Sequence, residues 1–298
     1  MPYHEQPQRP RRLPPPGACD THFHVFDEGP GHTADPASAY QPTHAPMPAL
    51  LHMHEMLGII RGILVQPTAV LIDYDAFIAQ LATAPQFRGV AVIDASTTDQ
   101  DLLRLSEAGV CGVRFHFARF LNKRPEIPWF LGQVDRLREM GWHVDLHVEA
   151  EDLSELAPVI QRLSVPVVID HMSHMRISRG VDQPGMQVLL DLLKHDHCWV
   201  KYSNCDRWSP EGPPHYQDAI PFGRRVLECA PGRVLWGTDW PHVMYRDPRR
   251  PGDPPPQDAD LLNLLASTVN SEREWRQVLV ENPQRLYGFP ALEPAAVS

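Results

Sequence analysis

The clearest sign of chemistry in this chain is a pair of histidines separated by one residue. His22 and His24 lie in an apolar run, and in a β-strand residues two apart project from the same face. Their imidazoles can therefore converge on one centre. His52 and His54 have the same spacing within a helical pattern, where residues two apart diverge by about 200°. We expect this second pair to be solvated and unable to chelate.

Further polar and titratable side chains follow other apolar runs along the chain. Those that come where a run ends are Arg114, His116, His147, His171, His174, Arg207 and Asp239. Such groups recur at the ends of the runs and not at their starts. If the runs are parallel strands, their ends meet on one face, and the sequence predicts a single active site there.

The apolar runs predict eight strands that alternate with helices. The strands are 18–26, 62–66, 89–94, 112–117, 143–148, 167–170, 199–203 and 234–237. The helices are 48–57, 74–82, 98–108, 128–140, 152–163, 186–194, 219–229, 258–269 and 271–281. Eight alternating units within about 240 residues indicate an α/β fold, a closed (β/α)8 TIM barrel in a single domain with long βα loops.

The 32 prolines of the chain mark its organisation. We expect residues 1–17 to form a Pro-rich N-terminal strap, 18–290 the barrel, and 291–298 a C-terminal tail. Two further proline-rich segments, 27–48 and 248–256, predict long loops after the first and last strands. Long irregular loops in a compact domain are usually functional or disordered.

Composition excludes several classes of protein. The net charge is −10 and no stripe of Lys or Arg stands out, which argues against a nucleic-acid partner. No run of about 18 apolar residues predicts a membrane span, and the N-terminus lacks the apolar core of a signal peptide. Five cysteines without a Cys-x-x-Cys motif predict a reduced, cytoplasmic protein. The absence of phosphate-binding glycine motifs and of Gly-x-Ser-x-Gly disfavours nucleotide enzymes and serine acyl-enzymes.

Three motifs together resemble the amidohydrolase superfamily, specifically the amidohydrolase-2 branch that contains lactonases of pyrone dicarboxylate, muconolactones and sugar acids. The motifs are Asp20-x-His22-x-His24, Ile169-Asp170-His171 and Gly237-Thr238-Asp239-Trp240-Pro241-His242. The resemblance extends from segment 14–17 to segment 282–287. It implies a hydrolase with His22, His24, His171 and Asp239 as the catalytic set.

The resemblance also implies which residues bind the substrate. Arg114 and Arg207 match arginines that hold substrate carboxylates, for which guanidinium groups are geometrically suited. We add Thr68, Arg119, His147 and His174 as further candidates. The family pattern has arginine where this chain has Phe120 and His174, tyrosine at His147 and asparagine at Met244. These departures predict a lactone with one carboxylate or another anion rather than a pyrone dicarboxylate.

The same residues raise the question of a metal. His22, His24, His171 and Asp239 would suit one Zn²⁺ or Mn²⁺, and catalysis without metal is equally open. A binuclear centre bridged by a carboxylated lysine is disfavoured, because Lys123, Lys194 and Lys201 are not at the ends of strands four or five. In either case Asp239 would take a proton from the water that attacks the lactone. Without metal, the three histidines would donate hydrogen bonds to the oxyanion.

Ring opening of a small anionic lactone, in the catabolism of aromatic or sugar acids, is therefore the leading hypothesis. Zinc-dependent non-oxidative decarboxylation and lactone isomerisation, both known in this superfamily, remain alternatives. A barrel without catalytic activity is disfavoured, since burying so many polar groups is costly. Whether identical chains associate is not decided by the sequence.

Overall fold

The structure is a computed structural model that describes residues 3–27, 32–244 and 255–291. Within these ranges, no helix has the length and hydrophobicity needed to cross a membrane. All five cysteines are free. Most of the second predicted proline-rich loop, 248–256, lies outside the described residues. Nearly all of the predicted C-terminal tail, 291–298, also lies outside them.

Eight parallel strands form one sheet in chain order. They are β1 (Cys19–Phe23), β2 (Arg61–Val65), β3 (Phe87–Ala91), β4 (Val110–His116), β5 (His143–His147), β6 (Val167–Ile169), β7 (Cys198–Tyr202) and β8 (Val234–Trp236). The first and last strands meet where the His24 amide donates to the Trp240 carbonyl (2.8 Å) and the Asp239 amide to the His22 carbonyl (2.8 Å). The predicted (β/α)8 barrel is confirmed.

Helices follow the strands as the amphipathic pattern predicts. They are α1 (Met47–Leu57), α2 (Tyr74–Ala82), α3 (Asp99–Glu107), α4 (Ile127–Glu139), α5 (Ala150–Ile160), α6 (Pro184–Leu192), α7 (Cys205–Trp208), α8 (Ile220–Cys229), α9 (Asp258–Thr268), α10 (Glu272–Arg276) and α11 (Asn282–Tyr287). Local signals fix several starts: Asp73 accepts the Ala76 amide, and Thr98 forms a capping box with Asp101.

The prediction of the last helix was wrong in detail. Instead of one helix over 271–281, α10 passes into a π-helical turn, Gln277–Glu281, and continues as α11. The short helix α7 was not predicted either, because a single turn has too little periodicity to detect. Most other boundaries agree to within two residues, and several predicted strands end earlier because their last residues already bend into the active-site loops.

The N-terminal segment lies against the barrel near the junction of β1 and β8. Tyr3 stacks on Trp240 with ring centroids 5.0 Å apart, and the Arg11 amide donates to Asn263 on α9 (2.8 Å). The Arg12 guanidinium lies over the ring of Trp275 on α10. This segment therefore joins the last helices to the loop that follows β8.

Candidate active site

Asp239 lies at the centre of the candidate active site, directly after β8. Its Oδ1 atom is 3.6 Å from His22 Nε2, 3.6 Å from His24 Nε2 and 3.9 Å from His171 Nε2. Its Oδ2 atom accepts a hydrogen bond from Arg207 Nη2 at 3.0 Å. All four members of the predicted catalytic set are buried, and the structure brings them together as the strand ends predicted.

The backbone around this carboxylate has positive φ angles, which residues other than glycine rarely adopt. Asp239 has a φ of 59° and Asn204, after β7, has a φ of 58°. His171 and His174 begin and end four consecutive residues with φ between 45° and 54°. Each such residue costs on the order of 1–3 kcal/mol and persists only where its surroundings hold it. Two members of the predicted catalytic set, His171 and Asp239, are among the residues in this conformation.

The electrostatic surroundings keep the Asp239 carboxylate ionised. Burial alone would raise its pKa, but chiefly the Arg207 guanidinium lowers the pKa to about 2. Asp239 is therefore a proton acceptor at neutral pH, as a general base must be.

Lys201 is a buried cation beside His22 and favours one tautomer of its ring. Its ammonium nitrogen lies 2.9 Å from Asp170 Oδ1 and 3.1 Å from His22 Nδ1, and it also donates to Asp145. Burial would lower the pKa of Lys201, but the two aspartates raise it, so the group is a cation. Because an ammonium can only donate, its contact with Nδ1 favours the neutral His22 ring with the proton on Nε2, although Asp170 Oδ1 lies 3.5 Å from the same Nδ1 atom.

His24 and His171 take the opposite tautomer. His24 Nδ1 lies 2.8 Å from the Val65 carbonyl, which can only accept, so the proton is on Nδ1. Arg114 Nη2 donates to His171 Nε2 at 3.3 Å, which places the His171 proton on Nδ1, 2.8 Å from a serine hydroxyl. Only His22 therefore presents an N–H towards Asp239. That all three histidines donate to an oxyanion stays a prediction, which these tautomers favour only for His22.

The same residues include candidate ligands for a divalent metal. Within the described residues, two groups have donor atoms close enough to share an ion: His22 with Asp170 and His171, and His22 with His24 and Asp239. Both groups require His22. Its Nδ1 atom lies 3.1 Å from the Lys201 ammonium and 3.5 Å from Asp170 Oδ1, and a metal on its Nε2 atom would have to displace any proton there. By their donor atoms and distances, these groups could hold a divalent metal.

Lys201 is the functional residue that the sequence analysis missed. It lies within the apolar run of β7 and is fully buried. The signal that could have revealed it is a lone lysine inside a predicted buried strand, since a buried lysine needs charged partners. As expected, neither Lys201 nor the other two lysines end β4 or β5: Lys123 pairs with Asp35 and Lys194 with Asp191.

A second cluster of histidines lines the site from β4 to β6. His116 Nδ1 is 3.1 Å from His147 Nδ1, and His147 Nε2 is 2.7 Å from His174 Nε2. Burial lowers the pKa of all three, and burial with the Arg207 charge lowers that of His174 to about 3. These rings are neutral, so this wall of the site offers hydrogen bonds without a full charge.

The predicted substrate-binding residues divide into those that reach the site and one that does not. Thr68, Arg114, Arg207, His147 and His174 all line a small chamber of about 50 Å³ in front of Asp239. Within it, Arg114 Nε donates to Asp170 at 2.7 Å.

Arg119 does not line this chamber. Its side chain is 68% exposed and its Nε atom donates to Asp152 at 2.8 Å. Its neighbour Phe120 faces the chamber instead, with its ring 5.7 Å from that of His147. The two residues lie in a single 3-10 turn, Arg119–Leu121, which directs one side chain inward and the other outward.

The second His-x-His pair also departs from expectation. His52 is exposed, as predicted, but His54 is buried and its Nε2 atom lies 3.1 Å from Asp20 Oδ2. The same carboxylate accepts the Thr238 hydroxyl (2.6 Å) and, through Oδ1, the Thr238 amide (3.0 Å). His54 therefore supports the junction of β1 and β8, immediately before Asp239.

Comparison with known proteins places these features in context. The amidohydrolase family model matches residues 19–289. A 4-sulfomuconolactone hydrolase of Hydrogenophaga intermedia is 35% identical, covering 93% of this chain and 91% of that protein. A 2-pyrone-4,6-dicarboxylate hydrolase of Comamonas testosteroni is 34% identical, covering 96% and 94% respectively. The crystal structure of an apo protein from Agrobacterium tumefaciens superposes with a TM-score of 0.84 at 27% identity, covering 97% and 100%.

Proposed function

Because this chain belongs to the amidohydrolase family, we propose that it hydrolyses an anionic lactone with Asp239 as the general base. The observation that carries the proposal is the position of the Asp239 carboxylate. One oxygen faces three imidazoles and the other is held by Arg207. The named activities of the relatives, two lactone hydrolases that cover almost the whole chain, support the same chemistry.

The tautomers assign different tasks to the histidines. A water molecule between Asp239 Oδ1 and the lone pair of His24 Nε2 can donate a hydrogen bond to each. The N–H of His22 Nε2 points to the same place and can donate to the lactone carbonyl oxygen. As water attacks the carbonyl carbon, Asp239 takes its proton, and negative charge develops on the oxygen that His22 contacts.

Collapse of the tetrahedral intermediate completes the reaction. The bond between the carbonyl carbon and the ring oxygen breaks, and the ring oxygen takes the proton from Asp239. The product is an open-chain acid with a new hydroxyl or enol and a new carboxyl group, which releases its proton to the solvent and becomes a carboxylate. Asp239 returns to its ionised form, so one residue serves as base and then as acid.

Arg207 couples substrate binding to the strength of the base. A pKa of about 2 makes Asp239 a weak base in the free enzyme, and Arg207 is a main reason for it. A substrate carboxylate that takes a guanidinium hydrogen bond from Arg207 weakens its contact with Asp239, 3.0 Å away. The pKa of Asp239 then rises towards its ordinary value, and the carboxylate becomes a better proton acceptor when substrate is bound.

The charges of the chamber favour a substrate with one anionic group. Arg114 and Arg207 are the guanidinium groups that line it, whereas Phe120, His147 and His174 supply neutral surface. Because burial keeps the two histidines uncharged, a second carboxylate on that side would lose its hydration without gaining a cation.

We also propose that the reaction proceeds without metal, with the His22 proton on Nε2, the tautomer that a hydrogen bond from the Lys201 ammonium favours. This arrangement disfavours zinc-dependent decarboxylation. The charge of Asp239 and the N–H of His22 supply the base and the electrophile that a metal-bound water and a Lewis acid would otherwise provide.

The test measures the hydrolysis of a panel of lactones with and without a ring carboxylate. The rate is obtained from the amount of base needed to keep the pH constant. The proposal predicts hydrolysis of carboxylated lactones and at least tenfold slower hydrolysis of uncharged ones. NMR of the products separates hydrolysis from isomerisation, in which the released hydroxyl closes a second ring. Release of CO₂ from carboxylated aromatic acids, with no lactone opened, would overturn the proposal.

A further inference from the structure

A much larger cavity adjoins the catalytic chamber. Its volume is about 1040 Å³, against about 50 Å³ for the chamber. Thr68, Arg114 and His116 line both spaces. Sites for small molecules typically measure roughly 300–1000 Å³, so the chamber holds only the reacting part of a substrate and the neighbouring cavity can hold the rest.

The walls of this cavity are mainly apolar. Leu71 follows β2, Ile93 follows β3 and Trp129 projects from α4. Leu71 is 47% exposed, although it lines the cavity, and Trp129 is half-buried. A ligand that covers exposed apolar side chains around a concave space removes their surface from water, which contributes favourably to the free energy of binding.

The charges of the cavity disfavour a second anion. Four carboxylates line it, those of Asp35, Asp94, Asp101 and Glu126. The Lys123 ammonium is paired with Asp35 at 2.6 Å, and the Arg114 guanidinium donates to Asp170. An anionic group in this space would meet an excess of negative charge, whereas a neutral apolar group would not.

We propose that the substrate carries a neutral apolar substituent, such as a phenyl ring or an alkyl chain, and that this group binds in the adjoining cavity. The inference rests on the proposed lactone hydrolysis and extends it. The anionic end of the substrate faces Arg207 and the lactone faces Asp239. The apolar group passes Thr68 and lies against Leu71, Ile93 and Trp129.

Binding of two lactams tests the subsite without turnover, because a lactam replaces the labile ring oxygen by nitrogen. One lactam carries only a ring carboxylate, and the other carries the same carboxylate and a phenyl group. We expect calorimetry to show roughly tenfold or tighter binding of the phenyl lactam, from the apolar area that it covers. Leu71→Asp should abolish this preference while the protein stays folded, since Leu71 is partly exposed.

Leu103→Asp is the matched control, because Leu103 is 56% exposed on α3 and does not line the cavity. That variant should keep the preference. Equal or undetectable binding of the two lactams, or an unchanged preference in Leu71→Asp, would overturn the subsite. The corresponding lactones separate the two proposals. Hydrolysis of both with no preference keeps the function and removes the subsite, whereas preferential lactam binding without hydrolysis of either lactone removes the function.

Discussion

His22 and His24 lie at the end of β1 with both Nε2 atoms 3.6 Å from one carboxylate oxygen, whereas His52 and His54 share their spacing on α1 and never meet. The helix sends His52 to solvent and His54 inward to Asp20. A spacing therefore acquires chemical meaning only from the element that carries it. The two pairs also have different roles. His54, the buried member of the second pair, contacts Asp20, which binds Thr238 at the strand junction that positions the first pair.

The largest effect should come from removing the group on which the first pair converges. Asp239→Asn keeps the size of the side chain but cannot take a proton, so we expect kcat/KM for a carboxylated lactone to fall about 10²–10⁴-fold. Circular dichroism and thermal unfolding would verify that the variant is folded. Activity within a few-fold of the native enzyme would show that another group is the base.

Within the first pair, His22 should matter through its N–H. His22→Leu removes the hydrogen-bond donor to the developing oxyanion, and loss of one such donor lowers kcat by about 10²–10³-fold. His52→Leu on α1 is the matched variant and should leave kcat unchanged. Similar rates for the two variants would remove the distinction between the pairs.

The pH dependence of stability should test the buried, neutral state of His24 in the first pair. The pKa of His24 is lowered to about 3 by burial first and then by the neighbouring His22, whereas the unfolded value is about 6.5. A depressed pKa contributes stability that is complete above about pH 6.5 and is lost as the pH falls towards 3. Denaturant titrations between pH 7 and pH 4 should show a steep loss in the native protein and a shallower one in His24→Gln. Parallel curves would contradict the buried, neutral state of His24.

The smallest effect should come from the second pair. His54→Gln removes the ring at Asp20, and the buried carboxylate left short of a partner should cost about 1–3 kcal/mol of unfolding free energy. His52→Gln, on the exposed face of α1, should change it by less than about 0.5 kcal/mol. Urea denaturation of both variants measures the difference. Equal stabilities would mean that His54 does not support the strand junction.

The sequence was sufficient to predict the barrel and the convergence of His22, His24, His171 and Asp239, because periodicity and strand order determine which ends meet. It was insufficient where tertiary packing decides which side chains point into the protein and which point to solvent. Helical periodicity separates His54 from His52 but does not say which of them faces inward.

Two other outcomes depended on features that no local pattern records. Arg119 and Phe120 are adjacent in a short turn, and only packing against the chamber decides which one enters it. Lys201 lies within an apolar strand, β7, and its role follows from Asp145 on β5 and Asp170 just after β6. Its contact with His22 joins residues 179 positions apart in the chain.

The central claim is that Asp239 and the Nε2–H group of a neutral His22 ring open the lactone without metal. The most direct test is to strip the purified enzyme with a chelator, measure its metal content by elemental analysis, and assay it on a carboxylated lactone. We predict an undiminished kcat/KM at substoichiometric metal and no gain when Zn²⁺ or Mn²⁺ is added. Loss of activity with the metal, restored by adding either ion, would contradict the account.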